Sequence, residues 1–323
     1  MAASGQSFTE FPLSTAGSSP FFIANGPDGA LWFTENANRI GRITTAGAIT
    51  EFSVPSLAGL AGSITAGPDG ALWFIEQQQN RVGRITPAGV ITEFTVPTPS
   101  SHPYGITVGP DGVLWFTERI GNKIGQITTA GAFTEFAVPT PSSQPLAIAA
   151  GPDGALWFTE SAANEIGRIT TAGAITEFSV PTASSQPAAI AAGPDGALWF
   201  TEGSSNKIGR VSTSGGISEF AVPTANSDPN FIAVGADGAL WFSEYNGSKI
   251  GRLTVNGTIT EFAIPTAFSH PGVIVAGPDS AMWFAESTGN KIGRLSVTAI
   301  PALSVQMLFL ICVALAWVGL LKR

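Results

Sequence analysis

The chain is poor in side chains that carry chemistry. Its 323 residues include one cysteine, two histidines, two tyrosines and only 12% charged residues. The lone Cys312 cannot form an intrachain disulfide, so cysteine usage does not report the redox compartment. Lysine and arginine total 15, are scattered, and are outweighed to a formal net charge of −8. That leaves no basic footprint for a polyanion and sets nucleic acid aside as a partner. No nucleophile elbow, zinc-ligand spacing or phosphate loop is present. The start, Met1-Ala2-Ala3-Ser4-Gly5, shows no secretory signal peptide.

What the chain does have is glycine, proline and apolar residues in a fixed rhythm. The phrase "GPDGALWFTE" and its variants place Trp32, Trp73, Trp115, Trp157, Trp199, Trp241 and Trp283 at one step of 41 and five steps of 42 residues. Each unit holds four short apolar runs separated by turn residues. Helical repeats of this length would need runs of ten or more residues at a 3.6 period, which are missing. The expected fold is all-β: a seven-bladed β-propeller of four-stranded blades. In one unit the strands fall at Tyr104 to Val108, Val113 to Glu118, Lys123 to Thr128 and Phe133 to Val138.

The ends fit together. The chain starts with a fourth strand lacking its blade, Phe8 to Phe11, and the repeats end at Lys291 to Leu295, a blade lacking its fourth strand. Joining them closes a ring over residues 1–298. A two-residue hairpin loop at Ala46-Gly47 or Asn256-Gly257 sets Arg42 opposite Glu51 and Arg252 opposite Glu261, and pairs Glu10 with Arg294. Residues 299–323 form a second segment, expected to be an apolar helix. Their apolar run, about Leu303 to Leu321, is long enough to cross or nearly cross a membrane and ends in Lys322-Arg323, which puts the propeller outside the cell.

The seven copies act as an internal control for function. The "GPDG" aspartates recur in every unit and read as turn residues. The "FTE"-type glutamates also recur, and read as bonding backbone groups in the following loop. Variation concentrates where the first strands begin, on the face that also holds the "FTE" loops. The slot before the proline holds Ser19, His102, Gln144, Gln186, Asp228 and His270, and the next residue after it Phe21, Tyr104, Leu146, Ala188, Asn230 and Gly272. The central mouth of that face is the expected pocket, with Phe21, His102, Tyr104, Asp228, Asn230 and His270 as its binding rim. A small-molecule or peptide-like ligand is the expected partner there, or else a cell-surface partner, on a monomeric propeller.

The units "PYGITVGPDGVLWFTERIGNKIGQIT" and "GRITTAGAITEFSVPT" resemble those of the virginiamycin B lyase (streptogramin B lyase) family over about residues 8–298. The resemblance implies a propeller enzyme that opens a cyclic depsipeptide antibiotic by magnesium-dependent elimination, with a histidine as general base. In such enzymes a tyrosine follows the first blade's proline, where Phe21 stands. Histidines follow the prolines of blades 6 and 7, where Asn230 and Gly272 stand. A glutamate near the end of the last second strand corresponds to Glu286 or Ser287. A base must reach the proton it removes, and Phe21, Asn230 and Gly272 are not bases. Three readings follow: a lyase-like binding protein, an active lyase relying on His270 and Glu286, with Glu286 also as magnesium ligand, or a cell-surface scaffold whose rim is under no constraint. The tail, opening "IPALS" at 300–304, resembles bacterial sorting signals of the IPTL/PEP-CTERM type, which implies display at the cell surface.

Overall fold

The computed structural model describes residues 6–36, 38–54 and 61–297; the proposed C-terminal helix and sorting segment lie outside them. Among the described residues there are 28 strands and no helix, so no helix there is long and apolar enough to cross a membrane. The strands form seven four-stranded antiparallel sheets. In blade 3 they run Pro103–Val108, Leu114–Glu118, Lys123–Ile127 and Phe133–Ala137, and the other blades repeat this. First strands touch first strands around the ring, including Pro271–Ala276 against Pro20–Asn25, and so line the central channel.

Both faces of each blade are apolar because each is covered by a neighbour. The second strands are solvent-inaccessible at nearly every position, with all seven tryptophans at 0% exposure. Each tryptophan is fixed in the same way in six blades and nearly so in blade 3. In blade 1 the Trp32 indole N–H donates to Asp28 Oδ1 at 3.0 Å, while Arg42 Nε donates to Asp28 Oδ2 at 2.6 Å. The ring stacks on Phe52 with 5.3 Å between centroids. A buried indole needs an acceptor, so the repeated aspartate is both turn former and tryptophan anchor. Burial alone would raise the Asp28 carboxyl; the Trp32 and Arg42 bonds outweigh it and hold the group below its ordinary range.

Closure follows the proposed topology. Phe8–Pro12 pairs with Lys291–Leu295, and Phe11 stacks on Trp283 at 5.5 Å, reproducing the aromatic pair of the other blades. The register, however, differs by one residue from the expected one. Arg42 faces Thr50, and Glu51 faces Gly41. The cause is the loop. Thr44 N bonds to Ala48 O and Gly47 N to Thr44 O, with Gly47 at φ 91°, which makes three loop residues instead of two. One extra loop residue moves every partner by one and changes the facing side chains. Arg42 therefore pairs with Asp28, Arg252 with Asp237 and Arg294 with Asp279. Glu51 pairs instead with Arg39, Glu261 with Lys249 and Glu10 with Lys291. Gly47 is also needed for space, since a Cβ there would strike the Phe11 ring of the adjoining blade.

The repeated glutamates are a second correction. Glu35, Glu118, Glu244 and Glu286 are fully buried, and their carboxylate oxygens make no hydrogen bond. The nearby Ser18 hydroxyl donates to Asn290 Oδ1 instead. They sit beneath the loop they were expected to bind. Burial pushes these four carboxyls up to about 7, Glu202 up to about 6 and Glu160 up to about 8.

Two predictions follow from this architecture. Removing residues 1–13 deletes the closing strand and should lower Tm by on the order of 10 °C or more in calorimetry; an unchanged Tm would mean the ring is held without it. The raised glutamate carboxyls give the native state extra protons above their ordinary pKa of 4.5. Their contribution is therefore intact below 4.5 and lost as pH rises through about 7. Asp28, Asp69, Asp153, Asp195, Asp237 and Asp279, held low, lose theirs only on acidification below the ordinary 3.8. Tm should be higher near pH 5.5 than near pH 8.5, and Glu118→Gln should flatten that decline.

Candidate functional site

The mouth is built by a local irregularity repeated in every blade. Pro103 pairs with Glu118, but Ile106 pairs with Phe116, so the first strand carries one extra residue between them. Such a bulge re-aims side chains and is common beside binding sites. The residue before each proline is in the left-handed region: φ is 45° at Ser19, 50° at His102, 54° at Gln144 and at Asp228, 52° at Gln186, and 46° at His270. Histidine, aspartate and asparagine enter this region more readily than most residues. The left-handed backbone thus favours His102, Asp228 and His270 in this slot, while Ser19, Gln144 and Gln186 hold the same conformation without that preference.

Four aromatic rings meet over the channel. Phe21, Phe22 and Phe231 contact one another at 5.1 to 5.7 Å, and Tyr104 meets Phe22 at 5.6 Å, all edge to face. Around them lie two cavities. A polar one of about 520 Å³ spans blades 3 to 6, lined by Tyr104, Arg119, Gln186, Asp228, Asn230 and Asn246 among others. A second, of about 380 Å³, lies toward blades 1, 2 and 7, with Phe21, Phe22, Tyr104, Gln77, Tyr245 and Thr288 in its wall. Tyr104 lines both. Burial pushes its phenol up to about 12, against the pull of the Arg119 charge, so it is a neutral hydrogen-bonding group. Asp228 is raised by burial, and its Oδ1 lies against Gly203, where a Cβ would come within 2.6 Å.

The proposed rim therefore divides. Phe21 and Tyr104 meet at the aromatic cluster; Asp228 and Asn230 line the polar cavity with Tyr104. His102 is exposed on blade 3, and His270 is half-buried on blade 7. The His270 ring stacks on Tyr245 at 4.8 Å, and its Nδ1 lies 2.7 Å from Thr288 Oγ1, so it backs onto two residues of the second cavity. Glu286 begins beneath the same loop but at 0% exposure, like its counterparts. Gly272 packs on the next blade: a Cβ there would lie 2.5 Å from the Phe21 carbonyl oxygen. No side chain fits at 272 unless blade 1 shifts.

Phe22, Phe231, Arg119 and Tyr245 were not singled out from the sequence, although the internal copies held the signal. The residue after each "FTE" glutamate is Asn36, Gln77, Arg119, Ser161, Gly203, Tyr245 or Ser287. That slot varies as much as the proline slot and faces the same mouth. Arg119 Nε and Nη2 reach Gln144 Oε1 at 3.1 and 2.9 Å, joining blades 3 and 4 across the rim.

Comparison with known proteins agrees with this geometry. The virginiamycin B lyase family model matches residues 1–197 and 145–303. A solved streptogramin B lyase is 40% identical, with TM-score 0.87, over 91% of this chain and 98% of that one. Virginiamycin B lyase from Staphylococcus aureus is 44% identical, also with TM-score 0.87, over 91% of this chain and 100% of that one. A catalytically inactive histidine-to-alanine variant of the Staphylococcus aureus enzyme, solved with quinupristin, gives the same identity, coverage and TM-score. Comparison with curated protein sequences returns no match. The chain belongs to the virginiamycin B lyase family.

Proposed function

We propose that this family member is a binding protein that takes a small or peptide-like ligand at the central mouth, without the family's elimination chemistry. The observation behind this reading is the contrast between ring and mouth. The ring is the same blade seven times, whereas the mouth is asymmetric, with an aromatic wall, a polar cavity and Tyr104 shared by both. A cyclic peptide with aromatic and amide groups suits that division: rings pack against Phe21 and Phe231, and amides find Asn230, Gln186 and Arg119. At the three positions where the resemblance implies catalytic side chains stand Phe21, Asn230 and Gly272. The tight contact at Gly272 leaves no room for a base there. The propeller is read as a monomer, held outside the cell by residues 299–323.

A second reading, elimination at a depsipeptide ester, is favoured by the family match and by the quinupristin complex of the Staphylococcus aureus variant. It would rest on His270 as base, held by Thr288 and Tyr245, and on Glu286. Magnesium binds through accessible oxygens and keeps much of its water. Glu286 is buried beside the Lys291–Glu10 ion pair, whose lysine already supplies the positive charge there, so the residues beside His270 do not fit that ion as they stand, and no step is assigned through it.

Quinupristin separates the readings. Calorimetry should show binding that weakens roughly tenfold or more in Tyr104→Ala, the scale of losing a central aromatic contact. Ring-opening followed by mass spectrometry should show intact substrate with magnesium or with chelator. Magnesium-dependent ring-opening abolished in His270→Ala would establish the second reading instead.

A further inference from the structure

One blade breaks an ionic pattern that the other six keep. At the mouth end of each blade a buried second-strand glutamate, the first residue of the third strand and a fourth-strand glutamate come together. In six blades the middle residue is a cation: Arg39, Arg81, Lys123, Lys207, Lys249 or Lys291. Each is paired with its fourth-strand glutamate, at 3.5 Å for Arg39 and 2.7 to 2.9 Å for the other five. The lysine sites are alike in detail. Lys123 Nζ lies 2.7 Å from Glu135 Oε2 and 2.6 Å from the hydroxyl of Thr98, which belongs to the preceding blade's exit.

In blade 4 the middle residue is Glu165, and the cation is missing. Oxygens of Glu160, Glu165 and Glu177 lie within 4.8 Å of one another. Glu160 is fully buried at 0% exposure, and neither of its carboxylate oxygens has a hydrogen-bond partner; Glu165 Oε2 is likewise buried and unpartnered. The Ser143 hydroxyl beside Glu160 is spent on Asn122 Oδ1. The rest of the cradle is unchanged: Glu177 accepts from Thr140 N at 2.9 Å and Thr140 Oγ1 at 3.0 Å, as Glu135 does from Thr98.

We propose that Glu160, Glu165 and Glu177 form a calcium site in blade 4, occupying the place where the other blades hold a lysine or arginine. With all three carboxylates ionised the cluster carries −3, against −1 where two glutamates flank a lysine. One divalent cation restores −1. Calcium is the fitting ion because it takes about six to eight oxygens at about 2.3–2.6 Å in flexible geometry, whereas magnesium demands near-ideal octahedral geometry at about 2.0–2.1 Å. The three carboxylates are an irregular ligand set, which Thr140 Oγ1 and water complete. The ion would join the exit of blade 3 to blade 4, as Lys123 joins blades 2 and 3.

Titration calorimetry of the chelator-stripped full chain with CaCl2 tests this. One ion should bind per chain, with magnesium at least tenfold weaker. About 5 mM CaCl2 should raise Tm of the unaltered chain by mass action. Glu165→Lys, which copies the other blades, should abolish calcium binding and in chelator should melt above the unaltered chain. Glu165→Gln, a smaller change, should weaken binding at least tenfold. Absence of heat and of a Tm shift would overturn the site. So would calcium binding that survives unchanged in both variants, and equal affinity for magnesium would overturn the choice of ion.

Discussion

The structure depends on burying sheets that are apolar on both faces. A single blade has a tryptophan, a phenylalanine and an isoleucine on its middle strands with nowhere to hide them, so it is stable only between two others. A row of such blades would end in two bare faces. A ring has none, and this makes the pairing of Phe8–Pro12 with Lys291–Leu295 decisive. The Phe11–Trp283 stack and the Lys291–Glu10 pair show that the joint is no looser than the joints inside a continuous blade. The aspartate beneath each tryptophan serves the same burial: it supplies the acceptor the indole would otherwise lose with water.

Much of this was legible in the sequence, for a physical reason. Strand identity, blade number and closure follow from spacing, and spacing is imposed by the size of a blade. The register was not, because it turned on a single loop residue: Ala46-Gly47 suggests a two-residue turn, yet Thr45 also belongs to the loop. The pairing of Arg42 with Asp28 rather than Glu51 could be seen only once that residue was placed. The buried glutamates were misread for a different cause. A charged residue repeated in seven loops suggests solvent and backbone bonds, and nothing in its identity reveals that the following loop folds over it. At the mouth, comparing copies in the proline slot found Phe21, Tyr104, Asp228 and Asn230. The same comparison one strand later would have found Arg119 and Tyr245. Phe22 and Phe231 look like ordinary apolar strand residues, and only the bulge turns them over the channel.

Family membership and blade geometry bear on function from opposite sides. Identity of 40 to 44% over the whole ring leaves no doubt about descent. Yet the ring is the part of such a protein that physics keeps constant, and a shared ring is compatible with different chemistry at its mouth. At the mouth of this chain the glycine at 272 lets the first strands of blades 7 and 1 approach closely, and Phe21, Phe22 and Phe231 form an apolar wall. The histidine slots, in turn, are explained by backbone conformation before any reactivity is invoked.

The antiparallel order within a blade also fixes where the chain comes and goes. Leu295 and Phe8 pair at the end of the sheet that carries the "GPDG" turns, and Ser296 N bonds there to Ser7 O. The mouth, with Tyr104 and its two cavities, is at the other end. The described chain thus begins and ends side by side at the base of the ring, as far from the mouth as a blade is long, so the joint that closes the ring lies out of reach of whatever the mouth holds.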